Sequence, residues 1–302
     1  MESVVRADNI QAYGGLAGPA PFQQAILQSP GFLPVTSNIQ QETIFNNYLQ
    51  LLNVSTIQQA RQLPSSALIT ANLIQVGLQS SYGQFTYGPV VDGAFVPKLP
   101  GELLLHGQFD KSVRVMVGHN ANEGLTFTSP YIQNDTAFAA FIRLSAPDVS
   151  PAVASYISDV LYPPVFDGTY PYTDETTRTA FVVSEFVFVC NTYFLDTAYR
   201  NRTYAYFFSV PPALHGQDVP YTFYNDGGRS ASVQNTTVAL AMQNFFTSFA
   251  ETGRPVGQPG VPVFNMYGPN ATVINLNLTS ITQSRDTAAN ARCAWWQKAL
   301  YY

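Results

Sequence analysis

Three short apolar runs set between long helix-periodic stretches constrain the fold of this 302-residue chain more than any other feature. The runs are Ala25-Ile26-Leu27, Val113 to Gly118 and Thr203 to Val210. Turn-forming residues close each of them: Pro30-Gly31, the Gly/Asn-rich His119-Asn120-Ala121-Asn122, and Pro211-Pro212. Apolar runs of that length read as strands buried on both faces. Thr43 to Leu52 and Thr56 to Gln79 carry apolar residues at three- and four-residue spacing, with Pro64-Ser65-Ser66 restarting the second. Thr136 to Leu144, Pro151 to Leu161, Asp174 to Tyr199, Val233 to Glu251 and Ala288 to Leu300 also read as helices. Strands alternating with helices predict an α/β fold in one domain, with a helical cap at about 135–201. Three strands are few for so much helix, which predicts that part of the sheet lies outside this chain.

Composition removes several function classes. Charged residues are 11% of the chain, against roughly 25% in ordinary soluble domains, so neutral polar groups or attached sugar must keep the surface wet. Six N-x-[ST] sequons, at Asn53, Asn134, Asn201, Asn235, Asn270 and Asn277, point to sugar and to a secreted protein. The 14 basic and 19 acidic residues give a net charge of −5 with no basic stripe, which argues against nucleic acid as a partner. No apolar run reaches the roughly 18–20 residues of a membrane span; the longest, Thr179 to Cys190, is interrupted by Ser184 and Glu185. MESVVRADNI lacks the basic and apolar regions of a secretory signal, so residues 1–11 read as a non-native or disordered start. Cys190 and Cys293 are either two buried thiols or one disulfide, and the sequons favour the disulfide. No metal site is expected, because His106, His119 and His215 stand apart from one another and from both cysteines.

Two residues carry the candidate chemistry. Glu123 sits in the Gly/Asn-rich turn after the second run, and His215 in the loop after the third, within His215-Gly216-Gln217-Asp218. Ester cleavage by a serine needs a histidine that takes the serine proton and a carboxylate that fixes the imidazole tautomer. Alone, a carboxylate in such a turn is an ordinary solvated residue, and a histidine beside prolines an ordinary surface one. Their order along the chain, each behind a strand, is what points to a triad. His119 lies on the same tight turn as Glu123 and reads as a polar loop residue; His106 reads as exposed in a helix-to-strand connection. Phe85, Tyr87, Phe127, Tyr131, Phe181, Phe186 and Phe188 could line an acyl pocket or fill the core.

The stretch GPVVDGAFVPKLPGELLLHGQFDKSVRVMVGHNANEG (Gly88 to Gly124) resembles the segment leading to the catalytic acid in type-B carboxylesterases, the family of cholinesterases and secreted fungal lipases. That resemblance puts the acid on Glu123. YAYFFSVPPALHGQDVPYTFYN (Tyr204 to Asn225) is similar to the family's strand and loop ending in H-G-x-[ED], which implies His215 as the base with Asp218 as a nearby polar support. AYGG followed by PFQQAILQSPG resembles the segment after the nucleophile helix and implies that Ser29 lies close to the acid. Cys190 in FVFVCNTYF and Cys293 in RCAWWQKAL resemble the family's C-terminal disulfide pair. The resemblance runs from about Ala12 to the C-terminus and implies residues 12–302 as the C-terminal part of an α/β-hydrolase domain that uses no cofactor.

The match has one large gap. No G-x-S-x-G occurs anywhere in the chain. Ser3 stands nine residues before Ala12 without the small neighbours a strained nucleophile turn needs, and Gly14-Gly15-Leu16-Ala17-Gly18 carries Leu where a nucleophile would be. The glycines of an oxyanion hole are absent too. The expectation is a carboxylic ester hydrolase that keeps its acid and base, lacks the nucleophile and is inactive as this chain. A small-molecule or lipid ester is the implied substrate of the complete protein. A non-catalytic cholinesterase-like binding protein and a truncated gene-product fragment are the rival expectations. Nothing in the sequence addresses oligomeric state.

Overall fold

A computed structural model describes residues 10–32, 37–227 and 231–302. The three apolar runs form strands, β1 (Gln24–Gln28), β2 (Arg114–Asn120) and β3 (Tyr204–Phe208). They lie side by side and parallel, with Gln24 opposite Arg114 and Met116 opposite Tyr204. Two further strands complete the sheet in the order β1-β2-β3-β4-β5: β4 (Thr272–Leu276) parallel to β3, and β5 (Ile281–Arg285) antiparallel to β4. Both were missed in the sequence. β4 is only five residues long, and β5 is a polar edge strand with no fully buried side chain, so neither makes an apolar run.

Side-chain alternation divides the core between two faces of the sheet. Leu27, Val115, Val117 and Ala205 face one apolar cluster; Met116, Tyr204, Tyr206 and Phe208 face another. α1 (Asn38–Leu51) starts at Ser37 and α2 (Ser65–Ile74) just after Pro64. α3 (Asp135–Ser145) starts at Asn134, whose side chain accepts from the Ala137 amide at 2.9 Å. α4 (Glu175–Ala198) opens with a capping box of Asp174 and Thr177. α5 (Thr236–Thr252) covers the second cluster with Met242, Phe245 and Phe249 and stops at Gly253. α6 (Ala291–Trp296) is capped by Asn290 and packs on the first cluster.

The expected cap at 135–201 divides. α4 is 24 residues long and apolar enough to cross a membrane, but 83% of its apolar window is buried inside the protein. In its second half Cys190, Phe194 and Leu195 sit in the main cluster against the sheet, and the buried Asn191 and Thr192 beside them are hydrogen-bonded to carbonyls. Arg178, wholly buried, ties the rest together. It donates to the carbonyls of Tyr162 and Ser158, pairs with Asp135 and Glu175, and stacks 3.7 Å above the Phe138 ring. Cys190 and Cys293 are disulfide-bonded, which joins α4 to α6.

Ser3 and the rest of residues 1–9 lie outside the described residues. Ile10 and Gln11, at the end of the stretch read as a non-native or disordered start, are buried, and the Ile10 carbonyl accepts from the Asp110 amide. An apolar side chain with a ready place in the first cluster gains more by burial than a frayed end would.

Candidate active site

β2 and β3 end side by side, and the loops that follow them are laced together by asparagine. The Asn122 amide donates to the Ala213 carbonyl at 2.9 Å and its side chain to the Pro212 carbonyl at 2.6 Å; the Asn120 side chain donates to the Leu214 carbonyl at 2.8 Å. The Gly/Asn-rich turn is therefore a clamp that fixes the loop bearing His215 to the loop bearing Glu123. Sequence reasoning missed these roles, although two asparagines flanking a single apolar residue were visible.

Glu123 is wholly buried at the bottom of the clamp. Its Oε1 accepts from Ser29 Oγ and from the Asn120 amide, each at 2.6 Å. Its Oε2 lies 2.6 Å from His215 Nδ1. An ionised carboxylate only accepts, so Nδ1 carries the proton and Nε2 is left as the free, basic nitrogen of a ring that is 31% exposed. Phe127 and Phe188 hold the imidazole, with ring centroids at 5.2 and 4.4 Å. Phe85 rests on Phe127 in turn.

Two glycines permit this packing. A Cβ on Gly124 would stand 2.0 Å from the Ala180 carbonyl of α4, whose Ser184 hydroxyl accepts from the Gly124 amide at 2.8 Å. A Cβ on Gly118 would strike the Tyr206 ring at 2.2 Å. Tyr206 crosses β2 there and donates its hydroxyl to Asp218 at 2.9 Å. Asp218, nearly all of it buried, also accepts from Gln28 at 3.0 Å and from Asn120 at 3.4 Å. It thus supports the clamp without touching His215. Burial raises its pKa first, and the neighbouring charge of Glu123 raises it further.

Ser29 follows β1 in the left-handed region, at φ 48°, with its amide donating to the Gly118 carbonyl at 2.8 Å. Such a conformation costs a non-glycine residue on the order of 1 kcal/mol or more, and here it turns the hydroxyl onto Glu123.

Comparison with known proteins gives the family. The family model described as "Carboxylesterase family" matches residues 17–296. The chain belongs to the carboxylesterase family. It is 36% identical over 295 residues to Carboxylesterase patB of Penicillium expansum and 37% identical over 293 residues to Carboxylesterase patB of Aspergillus clavatus, alignments covering 97% and 96% of this chain. It spans about half the length, 52%, of each of those curated relatives. Among solved structures, Aspergillus niger EstA superimposes with a TM-score of 0.80 at 18% identity, covering 98% of this chain and 62% of that one. The fold is accordingly of α/β-hydrolase type.

The other expected residues fall in different places. His119 is not a loop residue. It is the sixth residue of β2, 2% exposed, with Nδ1 3.2 Å from Thr192 Oγ of α4 and Nε2 3.9 Å from Asp286 Oδ1. The strand runs two residues past the expected end because His119 and Asn120 still pair with Phe207 and Phe208 of β3. His106 is exposed at the end of a short helix, as expected. Of the seven aromatic candidates, Phe85, Phe127 and Phe188 gather at His215, whereas Phe181 and Phe186 pack on Tyr162, Trp296 and Tyr301. Tyr87 instead contacts Tyr48 of α1, and Tyr131 is 85% exposed. Among the described residues no three His, Cys, Asp or Glu side chains converge to hold a metal ion.

Proposed function

We propose that this chain supplies the acid and base of a carboxylic ester hydrolase that works through a serine acyl-enzyme. The observation that carries the reading is the 2.6 Å contact between His215 Nδ1 and a buried Glu123 whose second oxygen is already held by Ser29 and Asn120. Glu123 holds the imidazole in one tautomer, and His215 Nε2 takes the proton of an attacking serine and returns it to the leaving alcohol. A small-molecule or lipid ester is the substrate class. The serine belongs to a G-x-S-x-G turn that these 302 residues do not contain, so the chain by itself does not turn esters over. Ser29 does not replace it, because its hydroxyl is committed to Glu123 from within the protein.

The test is to offer the purified chain a p-nitrophenyl ester and a fluorophosphonate, alone and then joined to a preceding segment that bears G-x-S-x-G. The proposal expects hydrolysis and labelling only in the joined protein. Labelling of any serine in the 302-residue chain alone would overturn it, and steady binding of esters by a joined protein with no turnover would favour a binding protein instead. Secretion as a glycoprotein is part of the same reading, supported by the disulfide and by six sequon asparagines of which none is fully buried. A mass decrease of the protein from a eukaryotic secretory host on enzymatic deglycosylation is the expected result.

A further inference from the structure

At the opposite end of β2 and β3 from His215 lies a cleft of about 440 Å³ lined by three arginines. Arg114 is the first residue of β2, Arg202 stands two residues before β3, and Arg254 follows the turn that ends α5. Tyr204 and Phe249 lie buried beneath the arginines, and Met266 is half exposed at the rim. The length of β2 separates this cleft from Glu123 by on the order of 20 Å.

The charge arrangement is the unusual part. The chain has a net charge of −5 and only 14 basic residues, yet three of them line one cleft that contains no carboxylate. Arg114 is held across Gly253 and donates from Nη1 to the Thr252 carbonyl at 3.1 Å, which uses one of its five donors. Among the described residues Arg202 and Arg254 have neither an ion-pair partner nor a side-chain hydrogen bond, and both are exposed. Surface arginines in an acidic protein find counter-charges readily, so three together without one mark a site for an external anion. The planar fork of a guanidinium matches a carboxylate in two parallel hydrogen bonds. The half-exposed Met266 and the aliphatic stems of the three exposed arginines give an apolar body somewhere to lie, which a bare inorganic anion could not use.

We propose that this cleft binds an organic carboxylate with an apolar body, a medium-chain or aromatic acid, at a site separate from Glu123 and His215. The inference is independent of the ester-hydrolase reading, because it rests on binding and not on turnover.

The test is calorimetric titration of the 302-residue chain with hexanoate, benzoate, acetate and inorganic phosphate. Hexanoate or benzoate should bind about tenfold or more tightly than acetate, since each methylene buried against Met266 and the arginine stems contributes roughly 0.8 kcal/mol, and binding should weaken as salt rises. Arg202→Gln with Arg254→Gln should weaken hexanoate at least about tenfold. Met266→Glu, a change at the exposed rim that leaves the core untouched, should do the same by placing a like charge beside the ligand. Arg143→Gln, outside the cleft, should change nothing. Phosphate binding as tightly as hexanoate would overturn the carboxylate class. Hexanoate binding unchanged in both the double variant and Met266→Glu, or no binding of any of the four anions, would overturn the site.

Discussion

The chain places two histidines opposite two buried carboxylates, and only one pair leaves a ring nitrogen open to solvent. His215 meets Glu123 at 2.6 Å with 31% of its side chain exposed; His119 faces Asp286 at 3.9 Å with 3% exposed. In the first pair one nitrogen is used for orientation, and the other stays free on an open ring held by Phe127 and Phe188. In the second, the Thr192 hydroxyl donates to the Val189 carbonyl and so accepts from His119 Nδ1, while Nε2 is buried with no hydrogen-bond partner among the described residues. Phe207 closes the ring from the sheet side, at 5.3 Å. Residue type and a nearby carboxylate do not make a general base. A reachable nitrogen on a fixed tautomer does.

The sharpest way to break this comparison is to exchange the damage. In the chain joined to a G-x-S-x-G segment, Glu123→Gln should lower kcat by roughly 10⁴-fold and His215→Ala by roughly 10⁶-fold, as loss of a triad acid or base does. His119→Gln should leave kcat within a few-fold and lower only the urea midpoint. Equal losses of kcat from His119→Gln and His215→Ala, with folded protein in both cases, would erase the distinction.

The disulfide sharpens the comparison on the stability side. Cys190 lies two residues before Thr192, and Cys293 seven residues after Asp286, so the bond joins the two segments that enclose His119. Closing a loop of 103 residues stabilises a protein by about 4–5 kcal/mol in the chain-entropy account. The double change Cys190→Ser with Cys293→Ser should therefore lower unfolding free energy by about that amount in urea titrations. It should leave the His215 side, which Asn120 and Asn122 hold by backbone contacts, able to support turnover at low temperature. A loss below about 1 kcal/mol would mean that packing alone keeps α4 and α6 together, against the loop-closure account.

How far the sequence reached follows the same division. β1, β2, β3 and the helices were legible because apolar runs and helical periods are local signals, and Ser29, Glu123, His215 and Asp218, which the resemblance named, lie in one hydrogen-bonded network through Asn120. β4 and β5 were not legible, since short half-polar strands have no periodic signature and gain their place from pairing with β3. His119 was misplaced because Gly-His-Asn reads as a turn, whereas Phe207 and Phe208 draw those residues into the sheet. The asparagine clamp was invisible for another reason: its partners are carbonyls about ninety residues away, and carbonyls carry no sequence.

Asp196 offers the finest cut between the two regions. It is wholly buried on α4, with Oδ1 accepting from the Thr203 hydroxyl and Oδ2 unpartnered among the described residues. Burial raises its pKa well above the usual carboxylate value, the Thr203 hydrogen bond opposes that, and the charge of Asp286 adds to it. The folded state then holds a proton that the unfolded chain has released. Stability contributed by this group is present below the ordinary pKa of 3.8 and is lost as pH rises toward the folded value. Asp196→Asn removes the titration and keeps an acceptor for Thr203. The variant should be more stable than the parent at neutral pH. The advantage should shrink as pH falls toward 4, because the parent is then protonated in both states. Urea midpoints of the two proteins from pH 4 to 8 check it: a difference that stays flat, or grows toward acid, would mean that Asp196 is charged in the fold and that the buried side of β2 carries a true ion cluster after all.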